Sequence, residues 1–158
     1  MTQEDKQLLL TDLCARFPYG VKVRGVFLNY NKDKDKILYE ECDNVMRMQD
    51  LRRFDTLKPY LRAMADMTED EKEELLKSVF RRSDSKLFKV TSNGIDALPV
   101  ELPANSHMLF SVNSVNFNNR NINKYTEFLN RHHFDYRGLI KKGLAIRVTE
   151  KNNPYKNN

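Results

Sequence analysis

The spacing of the apolar residues changes at residues 17–20, and this change limits the possible folds more than any other feature. Before it, apolar residues recur with the spacing of one helical face, at Leu9, Leu10, Leu13, Cys14 and Phe17. The pattern predicts a helix over residues 2–16, capped by Thr2, with Cys14 on its buried face. Pro18 ends this helix, because proline restricts the residue before it. Strand-type patterns follow, so the chain is predicted to have an α+β fold.

Residues 21–50 predict a small β subdomain. Residues 21–24 alternate between apolar and basic side chains, and residues 26–30 are rich in strand-forming types. Gly25, which lies between them, predicts a bulge or a bend. Short strands joined by polar turns, with a bend-forming glycine, are typical of SH3-like barrels and of curled meanders. We therefore expect one of these two forms.

The second half of the chain contains a helix signature and a hairpin signature. Thr68 and Glu71 form a capping-box pattern, which predicts a central helix over residues 69–82. Asn93 and Gly94 predict the turn of a β-hairpin, because this pair readily adopts positive φ.

The C-terminal part is predicted to hold two helices. The first ends near His133, and the second is short, capped by Asp135 and ended by Gly143. The predicted domains are an N-terminal helix with the small β subdomain over residues 1–66, an α+β subdomain packed on it over residues 67–150, and a frayed polar tail over residues 151–158.

The sequence contains no signature of a bound cofactor or metal ion. It has no GxGxxG motif and no P-loop, and Cys14 and Cys42 do not have metal-ligand spacing. The run Asn31-x-Asp33-x-Asp35 imitates the start of a calcium loop. However, Lys36 and Cys42 occupy the positions that need glycine and glutamate. The run is therefore predicted to be a hairpin turn, and no cofactor or metal is expected.

The distribution of apolar residues also indicates where the protein resides. The N-terminus is polar, and the apolar run at residues 8–10 is too short for the core of a signal peptide. No apolar run approaches the ~18 residues that suggest a membrane span. We expect the protein in the cytoplasm.

The strongest binding pattern is a mixture of basic and aromatic residues near the C-terminus. Residues 120–158 hold 9 basic and 3 acidic side chains, so the positive charge of the chain is concentrated there. Cations that contact phosphates, together with aromatic faces that contact bases, are how proteins hold single strands. The alternative is a solvated basic face on a helix. The candidate polyanion-binding residues are Arg120, Lys124, Arg131, Arg137, Lys141, Lys142 and Arg147.

Two other groups of residues are candidate sites. Phe27, Tyr30 and Tyr39 could line a partner-binding groove on the β subdomain, although they would serve equally well as core. His132, His133 and Asp135 lie close together, and a histidine beside a carboxylate can act as a general base. Adjacent residues on a helix diverge by about 100°, which weighs against a shared catalytic role for the two histidines.

Three sequence blocks together resemble a known pattern. They are Phe17-Pro-Tyr-Gly20, Lys58-Pro-Tyr-Leu-Arg62 followed by Met67-Thr-Glu, and His133-Phe-Asp-Tyr-Arg-Gly-Leu-Ile140 followed by Lys142-Gly-Leu-Ala145. The chain resembles a family of short hypothetical proteins from anaerobic gut bacteria and their phages and mobile elements. Relatives usually continue past the last block with an acidic residue, where this chain has Ile146 and Arg147. The resemblance implies a phage or mobile-element setting but no activity.

The sequence leads to three functional hypotheses. The leading one is a non-enzymatic accessory or regulatory protein that binds another macromolecule, with a protein as the favoured partner. The first alternative is nucleic-acid binding by the basic C-terminal residues. The second alternative is an enzyme centred on His132, His133 and Asp135.

Overall fold

Helices and strands are interspersed along the chain. The computed structural model describes residues 1–31, 36–79, 88–91, 94–97 and 119–156. The helices are Gln3–Arg16 (α1), Glu69–Val79 (α2) and Asn119–Arg131 (α3). The strands are Lys22–Asn31 (β1), Lys36–Val45 (β2), Lys58–Leu61 (β3), Phe88–Thr91 (β4), Gly94–Ala97 (β5) and Ile146–Arg147 (β6). The predicted α+β class is thus confirmed. Within the described residues, no helix has both the length and the apolar character needed to cross a membrane.

The main sheet is mixed and open, with the strand order β2-β1-β3-β6. The long strands β1 and β2 pair antiparallel in continuous register from Lys22 opposite Val45 to Asn31 opposite Lys36. The third strand pairs with only two residues of β1, and β6 runs parallel to it. Since the sheet is not closed, the predicted SH3-like barrel is not confirmed.

Gly25 is needed for close packing, and no bulge forms at this position. It pairs with Cys42 inside the unbroken register of the two long strands. A Cβ atom at this position would lie 2.5 Å from Cδ2 of Leu57. The glycine therefore lets the buried Leu57 side chain approach the strand, and the predicted bulge is wrong.

Helix α1 begins with the cap that the sequence predicts. Thr2 and Asp5 form a reciprocal capping box, with N···O distances of 3.3 and 3.1 Å. The buried face, however, is rotated from the predicted one. Its fully or nearly fully buried positions are Leu9, Asp12, Leu13 and Arg16. Cys14 is exposed, because it lies outside this i, i+3, i+4, i+7 stripe. Its predicted burial is wrong.

The chain forms two compact units. Unit 1 comprises Met1–Ala63 and Asn130–Asn158, and unit 2 comprises Met64–Leu129. The first boundary lies close to the predicted one at residue 66, but the last part of the chain belongs to unit 1. Backbone hydrogen bonds along β3 explain this return. Arg62 N–H donates to the His133 carbonyl at 2.9 Å, and Val148 N–H donates to the Leu61 carbonyl at 2.8 Å.

Unit 2 contains the capping box and the β-hairpin that the sequence predicts for the second half of the chain. The capping box of α2 is confirmed, with distances of 2.9 and 3.2 Å between Thr68 and Glu71. Strands β4 and β5 form the predicted hairpin, and Leu75 of α2 is fully buried. The predicted end of the helix beyond residue 79 and the predicted turn at residues 92–93 lie outside the described residues.

The segment after α3 folds as turns, although the sequence predicts a short second helix. Asp135 accepts hydrogen bonds from the backbone amides of Leu139 and Ile140, both at 2.8 Å. These amides would otherwise bond to backbone carbonyls in a helix, so the carboxylate competes with helix formation. Gly143, with φ of 71°, closes the last of these turns, where the sequence predicts the end of a helix.

The tail is held in place by Tyr155, although the sequence predicts fraying over residues 151–158. The Tyr155 hydroxyl donates to the Tyr60 carbonyl at 2.9 Å and accepts from Lys22 N–H at 3.2 Å. Lys22 Nζ also donates to the Pro154 carbonyl at 2.6 Å. Burial raises the pKa of Tyr155 to about 12, so the hydroxyl keeps its proton and remains a donor.

Replacing Tyr155 by phenylalanine is expected to lower the free energy of unfolding by about 1 to 3 kcal/mol, because two backbone groups lose a partner. Urea unfolding followed by circular dichroism measures this loss. Tyr39→Phe is the control, since Tyr39 is 73% exposed and should change stability by less than about 0.5 kcal/mol. Equal stabilities of the two variants would contradict the role given to the Tyr155 hydroxyl.

Candidate functional site

Unit 1 contains a pocket of about 680 Å³ that has basic and neutral walls. We name it the His133 pocket. Its basic lining residues are Arg62, Arg131, His132, His133 and Lys156. The other lining residues are Tyr19, Gly20, Val45, Asn153 and Tyr155, so no carboxylate is among the lining residues that the structure describes. A concave site with cations and no acidic group is suited to an anion.

Distant parts of the sequence meet at this pocket. The turn at residues 17–20 supplies Tyr19, the residue after β3 is Arg62, and the segment after α3 supplies His133. The backbone of Arg62 holds the segment after α3 in place. Its N–H donates to the His133 carbonyl, and its carbonyl accepts from Asp135 N–H at 2.7 Å. The three blocks singled out in the sequence therefore each contribute to one site.

The His133 ring is held in a fixed orientation. His133 follows α3 with a φ of 57°, a left-handed conformation that histidine adopts more readily than most residues. Its ring stacks on Tyr155, with centroids 4.3 Å apart and an interplanar angle of 12°. It also makes a hydrogen bond to the backbone of Tyr19. Nδ1 is buried and has no hydrogen-bond partner among the described residues, so Nε2 carries the proton that Tyr19 accepts.

The surroundings of His133 keep its imidazole neutral. Burial lowers the pKa of His133 to about 4, and the nearby charges of Arg16, His132 and Arg62 act in the same direction. Neutral imidazole with Nε2 protonated presents a lone pair on Nδ1. Nδ1 is thus a buried acceptor that has no donor among the described residues.

An aromatic ring supports one of the cations. The Arg62 guanidinium lies 4.3 Å from the centroid of the Phe134 ring. This stacking restricts the arginine side chain. Arg131 and Lys156 are exposed at the rim. The pocket therefore combines one oriented guanidinium with two rim cations.

A buried ion pair connects α1 to the segment that carries His133. Asp12 and Arg16 are both fully buried and form two hydrogen bonds of 2.7 and 3.0 Å. Arg16 Nη2 also donates to the Phe134 carbonyl at 2.7 Å. Arg137 Nε lies 3.8 Å from Asp12 Oδ1. The backbone next to His133 is thus anchored by a charged hydrogen bond.

A second, smaller pocket of about 280 Å³ also has arginines in its wall. Here Asp50 is among the lining residues and is nearly buried. It accepts from Arg53 Nη2 at 3.2 Å and from Arg47 N–H at 2.9 Å. Because a carboxylate already occupies these donors, this pocket is a weaker anion site than the His133 pocket.

The predicted polyanion-binding residues do not share one surface. Arg131 lines the His133 pocket, and Arg137 lies beside Asp12. Lys142 Nζ is 2.9 Å from Asp5 Oδ1, while Lys141 and Arg147 are exposed outside the pocket. Lys124 is exposed in unit 2, and the Arg120 side chain lies outside the described residues. Sequence reasoning missed Arg62 and Lys156.

The three aromatic residues predicted to line a partner groove are also separated. Phe27 is buried and lies under the Arg53 guanidinium, 4.7 Å from its carbon to the ring centroid. Tyr39 is 73% exposed. Phe27 pairs with Glu40 and Tyr39 with Leu28, so the two rings lie on opposite faces of the hairpin. The side chain of Tyr30 is outside the described set.

The cluster of His132, His133 and Asp135 is arranged for structure rather than as a dyad. Asp135 accepts two backbone amides, as a cap does. His133 stacks on Tyr155, and the His132 ring lies 6.4 Å from the Phe134 ring. In the described part of the chain, no three histidine, cysteine or acidic side chains are grouped as metal ligands.

No protein-family model, no curated protein and no solved structure matches the chain. The function must therefore be inferred from the chemistry of the site, since a fold alone does not imply one.

Proposed function

We propose that the protein acts without catalysis, by binding a nucleic-acid strand at the His133 pocket. The observation that carries this proposal is the composition of the pocket, in which Arg62, Arg131 and Lys156 line one concave site and no carboxylate is among the described lining residues. Phosphate groups are the anions that such arginine and lysine clusters recognise most strongly.

The charge of unit 1 supports a polyanion as the ligand. Its residues include 19 basic and 12 acidic side chains, whereas unit 2 includes 8 basic and 10 acidic ones. A net charge of +7 on the unit that holds the pocket attracts a long anion from solution. It also provides cations beyond the pocket for further phosphates.

The biological setting is part of the same proposal. The resemblance to proteins of phages and mobile elements favours an accessory or regulatory role in a bacterial cytoplasm. The non-enzymatic mode rests on the sequence, which contains no recognisable catalytic or cofactor-binding motif. A protein that binds nucleic acid without modifying it satisfies both expectations.

Binding to a single strand of about ten nucleotides is expected at micromolar affinity in ~50 mM salt, with a steep loss as salt rises. Fluorescence anisotropy across a salt series measures both quantities. Reversing the charge of the two rim cations, with Arg131→Glu and Lys156→Glu together, should weaken binding at least about tenfold and reduce the salt slope by about 1 or more. Both side chains are exposed, so the melting temperature should change little.

The matched control is Lys141→Glu with Lys142→Glu, which changes the net charge equally outside the pocket. It should weaken binding less than the rim pair does. If the control lost as much affinity as the rim pair, the strand would be bound by the broad C-terminal surface predicted from the sequence and not by the pocket. No binding in ~50 mM salt would refute the nucleic-acid function.

A protein partner is the second candidate, and one observation favours it. The outer face of the β1–β2 hairpin exposes Val26, Leu28 and Tyr39, whose side chains are 45%, 60% and 73% accessible. Contiguous exposed apolar side chains often mark protein contacts. If a Leu28→Glu variant binds the nucleic-acid strand as tightly as the wild type, this face is not part of the nucleic-acid site.

A further inference from the structure

We propose that a strand bound at the His133 pocket continues around the open edge of the sheet into the smaller pocket, where Arg47 and Arg52 bind two further phosphates. We name the smaller pocket, which has both arginines in its wall, the Arg47 pocket. This inference rests on the proposed function and adds a second binding site to it. Because only a flexible strand can follow this path, the ligand is an unpaired strand rather than a duplex.

Two guanidiniums of the Arg47 pocket are available to a ligand. Arg47 and Arg52 are exposed, and neither side chain has a hydrogen bond or an ion pair to a residue that the structure describes. The carboxylate of Asp50 is instead bound by Arg53 Nη2 at 3.2 Å. The described wall contains three arginines and this one aspartate, which leaves a net charge of +2. The pocket is therefore weak on its own, but it can hold two phosphates of a strand that is already bound nearby.

The frame that carries these two guanidiniums is fixed. Arg47 N–H donates to Asp50 Oδ2 at 2.9 Å, and the Arg47 carbonyl accepts from Asp50 N–H at 3.0 Å. The Arg53 guanidinium lies 4.7 Å from the centroid of the Phe27 ring and donates to the Val26 carbonyl. Because the backbone around the pocket is already ordered, a bound strand has to restrict only the two free side chains.

The two pockets lie on opposite faces of the sheet at the end of β2. Asn44 lines the Arg47 pocket, and the next residue, Val45, lines the His133 pocket. Successive side chains of a strand point to opposite faces, and Asn44 shares the inner face with its register partner Val23, which is fully buried. In the described sheet β2 is the end strand, so a ligand can pass around its free edge from one pocket to the other.

The acidic residues of β2 do not block this path. Asp43 precedes Asn44, but its Oδ1 already accepts from Arg24 Nε and from the Tyr60 hydroxyl, both at 2.8 Å. Glu41 is three residues before Asn44, which places it about 10 Å away along the strand. The phosphates therefore meet a neutralised carboxylate at the edge and two free cations beyond it.

The width of the edge selects an unpaired strand. Sheets pack ~10 Å apart, which is the thickness of one sheet with its side chains. A stacked strand rises ~3.4 Å per nucleotide, so about three nucleotides are enough to pass from one face to the other. A DNA duplex has a persistence length of ~150 base pairs and cannot turn around an edge this narrow. Only a single strand can therefore occupy both pockets.

The first experiment compares a fluorophore-labelled strand of about ten nucleotides with the duplex of the same sequence. Anisotropy titrations use the full chain in ~50 mM salt. We expect the single strand to bind at least about tenfold more tightly than the duplex, with one strand for each protein chain. Equal affinities would overturn this inference. Two strands for each chain would mean that the pockets act separately, and would overturn it as well.

A pair of variants tests the two arginines. Arg47→Gln with Arg52→Gln removes two phosphate contacts, each worth ~0.7 in the salt slope of a single strand, so the slope should fall by about 1.4. Affinity in ~50 mM salt should fall at least about tenfold. The control is Lys141→Gln with Lys151→Gln, which removes the same charge at exposed positions outside both pockets, and should change the slope by less than about 0.7. Thermal melting verifies that each variant is folded.

Photo-cross-linking locates the strand by a measurement that does not depend on charge. A 4-thiothymidine is placed at one position of the strand in each experiment, and the cross-linked peptides are identified by mass spectrometry. We expect cross-links to residues 44–53 and to residues 131–133 from positions about three or more nucleotides apart in the same strand.

The contradicting outcomes separate this inference from the proposed function. An unchanged salt slope in the Arg47 and Arg52 variant, or cross-links confined to the His133 pocket, would overturn the inference and leave the proposed function intact. No binding of any strand would overturn both.

Discussion

Replacing Asp12 by alanine is expected to lower the free energy of unfolding by about 3 to 5 kcal/mol. Asp12 and Arg16 have no exposed side-chain area, and the two hydrogen bonds between them satisfy the charge of the guanidinium. Without the carboxylate, Arg16 keeps its hydrogen bond to the Phe134 carbonyl but loses both hydrogen bonds to Asp12, and Arg137, which also lies beside Asp12, is another cation. An uncompensated charge would then remain inside the unit.

Urea unfolding of the full chain measures this loss, and two further variants test its cause. Asp55→Ala breaks the exposed pair with Lys6, in which both side chains are 39% accessible, and should cost less than about 1 kcal/mol. The double change Asp12→Leu with Arg16→Met removes both charges, and should recover much of the stability lost by Asp12→Ala. If the single variant were as stable as Asp55→Ala, the ion pair would not be a structural element of the native state.

The local features of the fold were predictable because each depends on a few neighbouring residues. The capping boxes at Thr2 and Thr68 satisfy amides three residues away, so the sequence contains all of the information. The pairing of β4 with β5 and the hydrogen bonds of Asp135 are equally local. Even here, competition matters: the Asp135 carboxylate replaces the helix that it was expected to start.

The buried ion pair was not predicted, because charged residues are assigned to the surface by default. Asp12 and Arg16 are four residues apart, which is the spacing of a common ion pair on the exposed face of a helix. A signal was nevertheless present. Both residues lie on the same helical stripe as Leu9 and Leu13, and that stripe is the one that is buried. A charged pair within an apolar stripe can therefore indicate a buried network.

The His133 pocket could not be found from the sequence, because its residues come together through long-range pairing. Arg62 and His133 meet by backbone hydrogen bonds between β3 and the segment after α3, and Tyr155 is placed by contacts with Lys22 and Tyr60. Composition indicated a basic C-terminal part, but it could not separate Arg131, which lines the pocket, from Lys142, which is paired with Asp5.

Stability is expected to fall by about 3 kcal/mol as the pH is lowered from about 7 to about 4, because of His133 alone. Burial lowers the pKa of His133 to about 4, whereas the ordinary value is 6.5. Between these two values the unfolded chain binds a proton that the native state does not. The free energy of unfolding must therefore decrease as the pH falls through this window. Above about pH 6.5 His133 is neutral in both states and no stability is lost.

Urea unfolding at about half-unit pH steps, for the wild type and for His133→Asn, measures this contribution. Asparagine tolerates the left-handed backbone at this position and does not titrate, so the variant should lose most of the slope between about pH 4.5 and pH 6.5. Asp5, Asp43 and Glu73 titrate in both proteins at pKa values below their ordinary ones, so the difference between the two curves isolates His133. His132→Asn, which removes the adjacent half-buried imidazole, should keep the wild-type slope. Parallel curves for the wild type and His133→Asn would mean that His133 takes up its proton without leaving its stack on Tyr155.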